Sequence, residues 1–456
     1  YNRPVIAFKV RAANFKEHSG LTVSGLSTAF LLDNRQLRLS DMHLIMPSTD
    51  VKGKFWMDMD AFAIKSPGKF FADVDGYIGA GDLSPFLTSV PSNYLTSLPQ
   101  EPLDIRGRFY GNLDYLSFRN VVMGFPSAFT FKGNGYVAHL RNTDNLMFSS
   151  RLDLTTRDMS FVKHFMPSSA RKAIGIPEGL NINGLFKLDH KVVEADFKAT
   201  LDQGVLKAKG FFDRRRENYD ITADARAFDL GRIVLGQKAG VITGRVSAHG
   251  HGTDIPSEAS SIAAEIRLDK FRMRGYNLDN IKGTVRMSHG RIDTRLNSRN
   301  AMAYGNIHLN GRLTKNLLDA DVEGRIASAN LKTLGITDKA WTVSVKPKVH
   351  VSSNLNDSYT IRGNIDDLWL RERKLARSRL LASSRHLFVD GSLRGTALSA
   401  RLRGVVDEAN LQGLGITDKQ YVVSTTASAD VKANLHKPYS FCGTVDAQAF
   451  DMVERR

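Results

Sequence analysis

A single cysteine in 456 residues, Cys442, excludes an internal disulfide framework, and its place in a strand-like stretch reads as a small buried apolar side chain. No apolar run approaches the ~18 residues of a membrane-spanning helix. Catalytic grammar is equally thin: no Ser/His/Asp set and no paired carboxylates rise above background, so the chain reads as a non-enzyme without a cofactor. His249-Gly250-His251-Gly252 lacks a third metal ligand at useful spacing and reads as a hairpin loop. Gly79-Ala80-Gly81 lacks the third glycine and the βαβ setting of a dinucleotide site. Aromatic residues make up only 9% and fall at core-like positions, which leaves no stacking platform for nucleic acid. The net charge of +16 is interleaved with acids, favouring anionic surfaces in general without marking a site. Arg214-Arg215-Arg216 reads as a solvated hairpin tip, with anionic head-group contact as the sharper alternative.

Glycine in one particular setting is abundant. Thirteen times it stands between two large apolar residues as apolar-x-Gly-x-apolar, as in Val51-x-Gly53-x-Phe55, Ile105-x-Gly107-x-Phe109, Ile182-x-Gly184-x-Phe186 and Ile361-x-Gly363-x-Ile365. Random placement would give roughly three, judged by the period-2 strand signal. Spacing of two puts all three residues on one face of a strand. Glycine there adds no packing, so its recurrence points to bending, close backbone approach or space left for another molecule.

Alternation is most legible from Gly179 to Phe228, where apolar residues face one way and Lys, Asp, Glu and Asn the other, with turns at His190-Lys191 and Asp202-Gln203-Gly204. Turns about ten residues apart describe an antiparallel meander with one wet face. The same grammar recurs at Ile262–Leu268, Ala301–Leu313, Leu318–Ile326, Trp341–Val351, Leu398–Val406 and Val423–Val431. Above the strands lies a duplication: the stretch from Ala329 to Lys339 returns 80 residues later from Ala409 to Lys419, as Ala-Asn-Leu-x-x-Leu-Gly-Ile-Thr-Asp-Lys. Looser relatives begin at Asp82, Asp158 and Asp229, giving approximate sub-repeats 1–81, 82–157, 158–228, 229–328, 329–408 and 409–456. An Asp or Asn N-cap at each junction predicts a helix of one or two turns, and longer helices are predicted at Ser84–Leu98 and Ser160–Ala173. The chain starts at Tyr1 without a signal and stops at Arg456 within another repeat, so it reads as an internal fragment of a continuous array.

Amphipathic strands must cover their apolar face, and these few short helices cover little of it. A sandwich, a barrel or a trough lined with apolar side chains remains. Roughly 35–40 strands at ~4.8 Å would stack to about 170 Å if they ran in one direction, which suits a conduit better than a compact core. A lipid-spanning barrel is disfavoured, because the outward positions are charged.

The glycine signature, the Asp/Asn-Leu junctions and the segment Ile176-Pro177-Glu178-Gly179-Leu180-Asn181-Ile182-Asn183-Gly184 resemble the TamB and wider AsmA-like family, across most of the chain as a repeat grammar. The resemblance implies an all-β, elongated, curved antiparallel sheet, the open "β-taco" groove. It further implies periplasmic residence, an inner-membrane anchor outside this sequence, phospholipid transport between the membranes and support of outer-membrane protein assembly with a barrel-assembly partner. A C16 acyl chain in water costs roughly 13 kcal/mol at about 0.8 kcal/mol per CH₂, so a continuous apolar floor would remove most of the barrier to desorption. The candidate floor residues are Ile182, Phe186, Leu188, Val193, Phe197, Leu201, Leu206 and Phe212, then Ile266, Ile307, Leu309, Val322, Val343, Val345, Leu402 and Val423. Each competes with a role as ordinary sandwich core, and the alternative expectation is a non-enzymatic sandwich or solenoid scaffold, or an adhesin, packed on itself.

Overall fold

The computed structural model describes residues 5–16, 21–61, 63, 65–83, 97–112, 114–236, 238–254, 257–374, 377–434 and 440–454. The fold is all-β, with 26 strands among the described residues and only short helices between them. The expectation of 35–40 strands is corrected: strands late in the chain run longer than ten residues, as in Ser358–Lys374 and Arg377–Arg394.

The chain divides into two units, Tyr1–Arg215 with Ile221–Ile242, and Arg216–Asp220 with Thr243–Arg456. In the first, β1 (Ile6–Lys16) through β12 (Gly204–Asp213) form a meander in which each strand pairs antiparallel with the next. In the second, the meander runs from β15 (Ser261–Met273) to β26 (Ser440–Glu454), interrupted only by the two-residue return Tyr276–Asn277. Among the described residues β1 pairs only with its successor and β26 only with its predecessor, so both meanders end in open edges.

Alternating side chains supply the strands, and the turns fall where the polar pairs predict. His190 and Asp202 open their turns with φ of 53° and 52°. Register shifts mark bulges, where one strand carries an extra residue and bends. Asn120 (φ 51°) sits in the break between Phe118 and Val121, its N–H donating to Asn134 Oδ1 at 2.6 Å.

At the later junctions the capping residues act as predicted while the helices differ; Asp82, predicted as a cap, instead lies inside the helix Ala80–Leu83 and accepts from the N–H and hydroxyl of Ser48. Asn410 Oδ1 accepts from Gly413 N–H and starts the helix Leu411–Leu414, and Asp229 accepts from Gly231 N–H at a 3₁₀ turn. Asn330 accepts from the N–H groups of Lys332 and Thr333 but opens a turn rather than a helix. The predicted helix Ser160–Ala173 is broken into a 3₁₀ segment, Ser160–Phe165, and an α-helix, Ser168–Ala173. Pro167 between them has no N–H to donate and forces its predecessor towards extended backbone; Met166 has ψ 141°. The helix predicted at Ser84–Leu98 falls on residues 84–96, which lie outside the described residues.

Two further expectations are corrected. Cys442 is exposed, because it stands opposite Lys432 on the charged face of β26 rather than on the apolar one. His249 and His251 belong to the strand Ala239–His251 rather than to a loop, and His251 Nδ1 lies 3.0 Å from Asn218 Oδ1.

Candidate functional site

The first eight candidate residues lie on three neighbouring strands, β10 (Asn181–Asp189), β11 (Val192–Leu201) and β12. Residues opposite one another in an antiparallel pair share a face, so the register assigns rows directly. Ile182, Ala199 and Leu206 form one row; Gly184, Phe197 and Ala208 the next; Phe186, Ala195 and Gly210 a third; Leu188, Val193 and Phe212 a fourth. These rows continue onto Met147–Thr156 through Leu154, Leu152, Ser150 and Phe148. Phe186 and Phe197 stack at 5.4 Å between ring centroids.

Glycine has a consistent place in these rows: it faces a large side chain on the neighbouring strand. Gly184 lies between Leu152 and Phe197, and Gly363 between Val349 and Val389. Gly107, opposite Val74, has a φ of 150°, and a Cβ there would lie 2.8 Å from Val121 Cα. Only glycine meets that combination of backbone conformation and close approach.

The second unit repeats the arrangement. Ile266 faces Gly283, which faces Leu296, Ile307 and Gly324 in turn. Leu309 and Val322 continue through Val349, Gly363, Val389 and Leu402 to Ala429 and Val445. Val343 joins Val423 through Leu370, Ala382 and Ala409, and Val345 faces Ile326. Within each unit the predicted residues therefore share one apolar face.

Most of that face is neither sealed nor bare. Val193 is 39% exposed, Leu201 and Val423 are buried, and the other thirteen candidates are half-buried. The accessible surface of the chain is 28634 Å² for 50.6 kDa. A compact monomer of that mass exposes about 17,000 Å², and two separate compact bodies of half the mass about 21,000 Å² together. Self-packed sandwich cores would remove the excess.

The opposite face was not singled out in the sequence. In the second unit a cavity of about 1050 Å³ opens on it, lined by Arg245, Glu265, Arg267, Lys282, Arg286, Asp293, Arg295, Asn297, Asn306, His308 and Glu323, with Ile266, Gly283, Leu296, Ile307 and Gly324 in its floor. His308 lies 3.1 Å from Asp293 and 3.2 Å from Glu323. Those two hydrogen bonds raise the imidazole pKa above its ordinary value, and the bond from His308 lowers that of Asp293. In the first unit the charged face carries an aromatic row, Trp56, Phe71 and Tyr110 on successive strands, with Lys69 over the Tyr110 ring. Alternation alone identifies these as outward positions; only register makes them neighbours. No group of three or more His, Cys, Asp or Glu suited to a metal ion occurs among the described residues.

The architecture defines a class, one-sided open β-meanders with an apolar and a charged face. No family profile matches the chain, and no curated protein matches it.

Proposed function

We propose that the apolar face binds lipid acyl chains and that the protein moves phospholipid between membranes, as the likeness to the TamB and AsmA-like family implies. The observation that carries this reading is the continuity of half-buried apolar rows on a chain exposing far more surface than compact bodies of its mass. A chain of CH₂ groups laid along such rows is removed from water at about 25 cal/mol per Å² of apolar surface, without any one residue forming a tight pocket. At the glycines the neighbouring backbone closes in, since a Cβ at Gly184 would lie 2.5 Å from Phe197 Cα and one at Gly363 2.7 Å from Val349 Cα, so they let adjacent strands approach beneath the apolar rows. Head groups remain in water at the rim. Periplasmic residence, an inner-membrane anchor and an outer-membrane assembly partner belong to the same proposal.

Native mass spectrometry with lipid extraction tests it. Phospholipid is expected to co-purify, and Phe197→Glu and Val345→Glu are expected to lower its occupancy several-fold while circular dichroism stays that of a β-sheet. A folded protein free of lipid, or undiminished occupancy in both folded variants, would favour a scaffold or adhesin.

A further inference from the structure

The cavity on the charged face contains a row of side chains that can all donate, two of them cationic. Arg267 on β15 faces Lys282 on β17 (Ile281–Ser288); Lys282 faces Asn297 on β18 (Arg291–Arg299); Asn297 faces Asn306 on β19 (Ala303–Thr314). All four are exposed. Like charges directly opposite in a sheet repel, so the Arg267–Lys282 pair is unfavourable unless an anion lies between them. Of the neighbouring carboxylates, Asp269 meets only Arg267, and Glu265, also in the cavity wall, stands opposite Thr284 rather than Lys282. Asp269 takes Arg267 Nε at 3.1 Å, leaving the terminal guanidinium nitrogens, while Asp293 and Glu323 are both engaged by His308. Asn306 Oδ1 already accepts from Arg325 N–H at 3.2 Å, which leaves its amide NH₂ as the group it can offer a ligand. Strands lie ~4.8 Å apart, so the four groups span about 14 Å.

We propose that this row is a binding site for a phosphate-type oxyanion, held by Arg267 and Lys282 as charged donors and by Asn297 and Asn306 as neutral ones. Guanidinium and ammonium groups form their strongest hydrogen bonds with such oxygens, and a preformed cavity lowers the ordering cost. The four side chains alternate with Ile266, Leu296 and Ile307 along their strands and so project from the face opposite the acyl-chain floor, although those three residues also line the cavity. Its phosphate can come from a free anion or from a lipid head group.

Isothermal titration of the full chain at low salt, with inorganic pyrophosphate and separately with monomeric dihexanoyl phosphatidic acid, tests the site and distinguishes the sources. Binding of pyrophosphate alone assigns a free anion, binding of the lipid alone assigns a head group, and binding of both assigns the phosphate itself. In each case Arg267→Gln and Lys282→Gln should each weaken affinity at least tenfold, while Arg401→Gln, on a distant strand and paired with Asp430, should leave it unchanged. Without ligand, Lys282→Gln should melt no lower than the parent, since it removes a repulsion. The proposal is overturned if neither probe binds, or if the Arg267→Gln/Lys282→Gln double variant binds as tightly as the parent.

Discussion

The glycines and histidines carry the sharpest consequences of single residues. At Gly107 a side chain meets both an unfavourable φ and the backbone of Val121, whereas at Gly179, φ 78°, nothing lies within 4 Å of an added Cβ. Gly107→Ala should therefore cost more than about 2 kcal/mol and Gly179→Ala about 1 kcal/mol. Urea denaturation of both variants checks this, and equal costs would mean that the sheet yields at Gly107. Ser384 offers the opposite case. Its hydroxyl is buried on β23 (Arg377–Arg394) without a hydrogen-bond partner, so Ser384→Ala should be neutral or stabilising by about 1 kcal/mol in the same measurement.

Between elements, His308 ties β18 to β19 and to β20 (Leu317–Asn330) through Asp293 and Glu323. Its folded pKa is raised, so the stability it contributes is fully present below its ordinary value near 6.5 and is lost as pH rises through the raised one. Asp293 has a lowered pKa, so its contribution is present above about 3.8 and is lost as pH falls through the lowered value. The second unit should thus be more resistant to urea at pH 6 than at pH 9, and His308→Gln should flatten that difference. An unchanged slope in the variant would assign the pH dependence to other groups, His350 between Asp319 and Asp321 first among them. Much at this scale was legible in the sequence. Turns at His190 and Asp202 and caps at Asp229 and Asn410 follow from side chains acting on their own backbone. The break at Pro167 followed from the same local chemistry, although the apolar period across Ser160–Ala173 concealed it.

For the whole molecule, little apolar surface is sealed for the chain's length. An unfolded chain of 50.6 kDa exposes about 73,000 Å², so folding to 28634 Å² buries about three-fifths of it, the fraction expected of a domain of about 60 residues. The heat-capacity increment of complete unfolding follows buried apolar area and should be about four-fifths of that of a compact protein of equal length. Scanning calorimetry of delipidated protein, summed over all transitions, measures it. A full-sized increment would indicate that the apolar faces close on themselves in solution.

Alternation with period two, by itself, determined that the chain is all-β, which side chains share a face, and that glycine recurs on the apolar side. Each is a property of a strand and its own residues. Sequence could not say that Arg267 stands against Lys282, that Phe197 stands against Gly184, or that His308 reaches two carboxylates on different strands. Those neighbours are set by the hydrogen-bond register between strands and by the bulges that shift it. A shift of one residue would carry every side chain to the other face, so only the tertiary structure could turn a list of apolar positions into a floor and a scatter of charges into a cavity.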